Sequence, residues 1–268
     1  MRLPQHRSTA TSLPEGFRRG SGARRWGGGL ALGLLGAASG ACSDNQGSIF
    51  IRQVNLPVPT NNCIVTADPQ NLTLGIGTLD VALRKEYTAT LLVGNQLTPR
   101  GNQQSLRVET SRVQLEGSEV SATDTTGATV FGPVTVPGSG FVDPASGTDP
   151  GWGLIDSVLF AMSDALAPTI SHKGARTLNV TSRVRVFGHT LGGTSVESGD
   201  FLFPISVCYG CLLSFPTDAN DSSKGYPNCD IPASNGTTIS APCTPGQDDT
   251  VDCRVCQEFF PGESFCEP

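Results

Sequence analysis

Positive charge, histidine and long apolar runs are all scarce in this 268-residue sequence. Its three lysines are Lys85, Lys173 and Lys224, and six of the 18 basic residues lie within residues 1–41. The remainder carries 12 basic against 23 acidic side chains, a net charge of −11. Neutralising phosphate needs clustered Lys and Arg, so nucleic acid is not an expected partner. Beyond residue 41 the histidines are His172 and His189, which leaves little room for histidine-based catalysis or metal binding. There is no Gly-x-Ser-x-Gly elbow and no His-Glu-x-x-His helix. Asp124-Thr125-Thr126-Gly127 misses the aspartic-protease triplet by an inserted threonine and has no second copy. Gly75-Ile76-Gly77 lacks the third glycine and the helix of a phosphate cradle, so a turn is expected there. The composition implies no cofactor.

Residues 30–42, LALGLLGAASGAC, organise the rest of the chain. They follow Arg18, Arg19, Arg24 and Arg25 and precede a polar run from Ser43 to Gly47. A basic segment, a short apolar segment and small residues at a cleavage point make an export signal over residues 1–41. The apolar part, residues 26–41, falls short of the roughly 20 apolar residues of a membrane span and is rich in glycine.

Ser39-Gly40-Ala41-Cys42 resembles the lipobox of bacterial lipoproteins, in which small residues precede a cysteine that becomes acylated. The resemblance covers this segment alone, and Ser39 stands where the family usually has leucine. It implies a lipid on Cys42, a tether over residues 42–47 and a membrane as partner. Ser43 after the cysteine implies the outer membrane of a Gram-negative envelope. Two alternatives stay open: ordinary signal-peptidase cleavage after Ala41, and a twin-arginine signal at Arg24-Arg25.

Nine cysteines in an exported chain are expected to be oxidised. Assigning Cys42 to lipid leaves Cys63, Cys208, Cys211, Cys229, Cys243, Cys253, Cys256 and Cys266, an even set that allows four bridges. Cys208-x-x-Cys211 and Cys253-x-x-Cys256 have the spacing of zinc knuckles, but export and the intervening cysteines favour disulfides. Seven of the eight lie in residues 208–268, so an all-oxidised chain must tie the tail back to Cys63. If the strand continues through Cys208 and Cys211, the two face opposite sides and take different partners. Cys63 is therefore expected to pair with one of them.

Residues 86–94 alternate Tyr87, Ala89, Leu91 and Val93 with Thr88, Thr90 and Leu92, a half-buried strand. The clearest hairpin sets Leu178, Val180, Val184 and Val186 against Phe201, Phe203, Ile205 and Val207. In residues 106–115 the apolar set changes parity, which predicts a bulge near Ser111-Arg112. Residues 129–136 predict an edge strand because they contain Pro133, and residues 137–151 a loop. Leu154, Ile155, Val158, Leu159, Met162 and Leu166 follow helical spacing and predict one short helix, although a strand ending in a helical turn fits the same residues. The expected fold is all-β: an immunoglobulin-like two-sheet β-sandwich over residues 48–212, with a closed barrel as the alternative, followed by a disulfide-rich irregular C-terminal tail over residues 213–268.

Asp218, Asn220 and Ser222, with Asp230 further on, invite a calcium-loop reading, but Ser223 stands at the loop's glycine and Cys229 at its final glutamate, so a solvated acidic loop is expected, with a looser calcium site in the tail as the alternative. Trp152, in Pro150-Gly151-Trp152-Gly153, suits either core insertion or an exposed platform for a sugar or partner. The expectation is a non-catalytic envelope lipoprotein acting as a structural or binding module, with an envelope protein or glycan as partner. The competing class is an exported hydrolase whose acidic residues are dispersed in sequence.

Overall fold

A computed structural model describes residues 47–101, 109–172, 177–232 and 239–268. The expected signal peptide, Cys42 and nearly all of the tether lie outside the described residues, as do Leu106 and Val108. The chain is mostly β, with strands β1 (Ile49–Asn55), β2 (Thr73–Leu74), β3 (Gly77–Asp80), β4 (Glu86–Asn95), β5 (Val113–Asp124) and β6 (Thr129–Val142). They are followed by β7 (Gly151–Ala161), β8 (Leu178–Thr190), β9 (Ser195–Glu197), β10 (Phe201–Cys208), β11 (Leu213–Ser214) and β12 (Val251–Asp252). The one α-helix among the described residues, α1 (Cys253–Phe259), lies in the tail.

Four strands form one sheet in the order β2-β1-β4-β7, and a second sheet runs β3-β10-β8-β5-β6 with β9 also on β8. Period-two alternation sends one side of each strand inward. Ile51, Leu91, Val93, Ile155 and Leu159 of the first sheet join Val120, Val184, Val186, Phe203 and Ile205 of the second in a single apolar core. Burying a Leu, Ile or Phe side chain contributes about 1.5–3 kcal/mol, so this core dominates the fold's stability. Its polar members are satisfied: Ser118 and Ser157 hydrogen-bond across the two sheets at 2.6 Å, and the Ser182 hydroxyl donates to the Leu159 carbonyl at 2.7 Å.

The hairpin pairs as the alternation predicts, with β10 antiparallel to β8 from Phe201↔Val184 to Val207↔Leu178. Three expectations are corrected. The short helix is β7 instead, followed by helical turns over Ser163–Leu166 and Ala167–Ile170. Leu154 and Val158 lie half-buried on its outer side while Ile155 and Leu159 enter the core, and apolar residues on both faces of a strand imitate helical spacing. Residues 137–142 are not loop, because β6 continues to Val142. It is an edge strand, which tolerates Pro137, and a Cβ at Gly138 or Gly140 would collide with Ile155 or the Leu154 carbonyl of β7. The parity change near Ser111-Arg112 marks the entry into β5, which starts at Val113 and shifts register between Leu115 and Gly117. The tail is also more ordered than expected, since β11 and β12 pair in parallel and lead into α1.

Candidate binding face

Alternate rows of the four-stranded sheet point away from the core, and the register fixes which side chains share a row. Phe50, Gly94 and Trp152 are direct cross-strand neighbours on β1, β4 and β7. The two rings meet edge to face with centroids 5.7 Å apart. They converge over Gly94, where a Cβ would collide with both the Phe50 ring and Trp152. Glycine is what lets both rings lean over the central strand. Arg52 is the extra residue of a bulge between Ile51 and Gln53, and its guanidinium sits 5.7 Å from the Trp152 centroid. An aromatic pair contributes about 0.5–1.5 kcal/mol, and an exposed cation–π contact about 0.5–1 kcal/mol. Trp152 is thus half-buried on an outer face and is not a core residue.

The next outward row is Gln53, Leu92 and Leu154, and the row after it is polar: Thr73, Asn55, Thr90 and Asp156 on four successive strands. The Thr90 hydroxyl donates to Asp156 Oδ1 at 2.6 Å. Just past Asn55, β1 parts from β4 and leaves a cavity of about 350 Å³ between Leu56, Thr88, Thr90, Asp156 and the tail residues Thr244 and Gln247.

The tail wall of that cavity is held by side chains that complete the sheet. Gln247 takes the place of the missing strand residue beside Thr88: the Thr88 N–H donates to Oε1 at 2.9 Å, and Nε2 donates to the Thr88 carbonyl at 2.7 Å. Asp248 accepts from the Thr78 N–H at 2.8 Å, from the Tyr87 hydroxyl at 2.9 Å and from Gln247 Nε2 at 3.2 Å. Burial lifts the Asp248 carboxyl above the ordinary range, and the bonds it accepts offset only part of that. Burial and then the negative charge of Asp248 raise the Tyr87 phenol as well. Both oxygens of Asp248 are therefore engaged in fastening the tail to β3 and β4. The Asp80 N–H donates to the Gly246 carbonyl and the Asp248 N–H to the Thr78 carbonyl, so this segment also covers the β3 edge.

The disulfides are Cys63–Cys243, Cys208–Cys211, Cys229–Cys253 and Cys256–Cys266. Cys63 does reach the tail, but through Cys243, and Cys208 and Cys211 pair with each other. The opposite-sides expectation fails because β10 stops at Cys208 and the chain turns. Asp80, fully buried, holds that turn by accepting from the Gly210 and Leu212 N–H groups at 2.7 and 2.9 Å. Cys63–Cys243 also joins the two sides of the cavity, since Cys63 follows the Leu56-Pro57 wall and Cys243 precedes Thr244. The knuckle cysteines form no four-sulfur cluster, because Cys253 and Cys256 bond to different partners on the tail.

Other candidates from the sequence sit apart from this face. His189 Nδ1 meets Glu116 at 3.0 Å on the surface, and His172 is exposed. Asp218 pairs with Arg254 at 3.1 Å and Asp230 with Lys224 at 3.0 Å, so the acidic loop disperses its carboxylates among cations. Asp124 closes the β5–β6 turn by accepting from the Thr126 and Ala128 N–H groups. Sequence reasoning singled out neither Phe50 nor Asp156 nor Gln247, because only the register assembles their rows. Compared with known proteins, the chain matches no protein-family model and none of the curated proteins.

Proposed function

We propose that this chain is an exported lipoprotein, acylated at Cys42 and held on the outer membrane of a Gram-negative envelope. Its immunoglobulin-like sandwich and stapled tail act there as a non-catalytic structural or binding module. The observation that carries this reading is cysteine parity: four bridges use eight of the nine cysteines, and the ninth is Cys42, at the end of the export signal. Several buried acyl chains at about 0.8 kcal/mol per methylene hold a protein on a bilayer almost permanently. Six residues separate Cys42 from Ile49, so the extended tether reaches at most roughly 20–25 Å. The body therefore stays close to the membrane.

Asp156 and Asp248 line one cavity, which is the observation favouring the hydrolase alternative. Against it stands the use of Asp248, the other carboxylate of the cavity lining, whose two oxygens are held by three donors for a structural purpose. The test is metabolic labelling with a fatty-acid analogue in cells expressing the wild type and Cys42→Ser. Wild type takes up label and sediments with membranes, whereas Cys42→Ser does neither. An unlabelled wild type contradicts the anchor.

A further inference from the structure

We infer that the outer face of the four-stranded sheet, from the Phe50–Trp152 pair to the cavity beside Gln247, binds an oligosaccharide chain. The inference rests on the reading of the body as a binding module and names its ligand.

Two independent features of one face support it. A pyranose ring presents a flat array of C–H bonds on its faces and hydroxyls around its rim. It is met by aromatic rings that offer area at low entropy cost, and by a few placed hydroxyls and carboxylates. The row of Phe50, Gly94 and Trp152 supplies the rings. The row of Thr90 and Asp156, continuous with the cavity of about 350 Å³, supplies the acceptors and donors. Asp156 is exposed and spends one oxygen on Thr90, leaving Oδ2 to accept from sugar hydroxyls. Gly94 lies four residue steps along β4 from Thr90, about 13 Å at the rise of a strand. A single ring does not cover that span, so the ligand is a chain with one ring stacked on the aromatics and another at the polar row.

Charge narrows the class. Arg52 stands at the aromatic end and Asp156 at the polar end, and Arg84 donates to the hydroxyl of Thr88, which lines the cavity with the half-buried Asp248, at 3.2 Å. With the signs balanced along the strip, the fit is to a neutral glycan and not to a polyanionic one. A peptide cannot add as a strand at β4, under the centre of the strip, because its backbone is already paired with β1 and β7.

The test uses the processed protein extracted from membranes in detergent. Neutral oligosaccharides of β-1,4-linked glucose, N-acetylglucosamine and mannose, two to six units long, are titrated while Trp152 fluorescence is followed. The sequence has one other tryptophan, Trp26, within the export signal. At least one hexasaccharide is expected to bind ten-fold or more tighter than its own disaccharide. Trp152→Ala and Asp156→Asn should each weaken it at least ten-fold by calorimetry, Trp152→Phe should weaken it less, and Leu202→Ala on the other sheet should leave it unchanged. All four variants are checked for wild-type melting. The inference is overturned if no neutral oligosaccharide binds the folded wild type at millimolar concentration. It is equally overturned if binding survives in both Trp152→Ala and Asp156→Asn. Fatty-acid labelling without glycan binding sinks this inference and leaves the anchored module standing; glycan binding by an unlabelled protein does the reverse.

Discussion

The β body and the tail are held together in different ways. In the body the core draws on 24 buried residues, all but Ile170 from the two sheets and all aliphatic or aromatic. In the tail the two buried clusters hold seven residues, and four of them are half-cystines: Cys229, Cys253, Cys256 and Cys266. The body has enough alternating strand to bury a core without covalent help. The tail has two short strands and one seven-residue helix, so disulfide sulfur serves as its interior. The candidate face lies where the two regimes meet, with sheet residues on one side and a stapled tail segment on the other.

That contrast predicts distinct losses. Removing Cys63 and Cys243 together is expected to have the largest effect, because the bridge spans a separation of 180 residues. On the chain-entropy model its loss costs about 5 kcal/mol, against about 3 kcal/mol for a bridge the length of Cys256–Cys266. Chemical denaturation of Cys63→Ala/Cys243→Ala, with hydrogen exchange at Thr88, reads both the global loss and the loosened cavity wall. An unchanged midpoint would mean that the tail adds nothing to the body.

Phe203→Ala strikes the other regime. A fully buried core phenylalanine cut to alanine costs about 3–5 kcal/mol, and Phe203 is 1% exposed beside Tyr87. Exchange protection should fall across β4, β8 and β10 together. A loss confined to β10 would break the claim of one shared core.

A smaller and local effect is expected from Gln247→Ala. It removes both partners of the Thr88 N–H and carbonyl at the cavity wall, about 0.5–1.5 kcal/mol for each hydrogen bond lost, and faster exchange at Thr88 with the β8 amides unaltered is the signature. The smallest effect is a pH dependence. Because the folded Asp248 carboxyl titrates above its unfolded value of about 3.9, its stabilising contribution is complete below that value. It is lost as pH rises through the raised folded value. Asp248→Asn should therefore gain in melting temperature relative to wild type as pH climbs from about 4 toward neutrality. A difference constant with pH would refute the burial of that charge.

The body was largely legible in the sequence where one face is apolar and the other polar, as in β8, β10 and the first half of β4, before Leu91–Asn95 become buried on both faces. Legibility failed where both sides of a strand are covered. In β7, Leu154 and Val158 on the outer face and Ile155 and Leu159 on the inner one produce a helical spacing. It failed again where glycine and proline occupy an edge strand, as in β6. Half-cystine count and parity could be read, but not pairing, because the turn after Cys208 depends on Asp80, 128 residues earlier in the chain. The candidate face was illegible for a related reason: Phe50, Gly94 and Trp152 are neighbours only through the register of three strands.

The central claim is that one cysteine of nine is set aside for lipid while the other eight are closed in bridges. Intact-mass spectrometry of the protein extracted from membranes, under non-reducing conditions with thiol alkylation, tests it most directly. The account predicts a chain beginning at Cys42 with acyl groups on that residue and no alkylated cysteine. A chain beginning at Cys42 or elsewhere with an unacylated, alkylated Cys42 would contradict it.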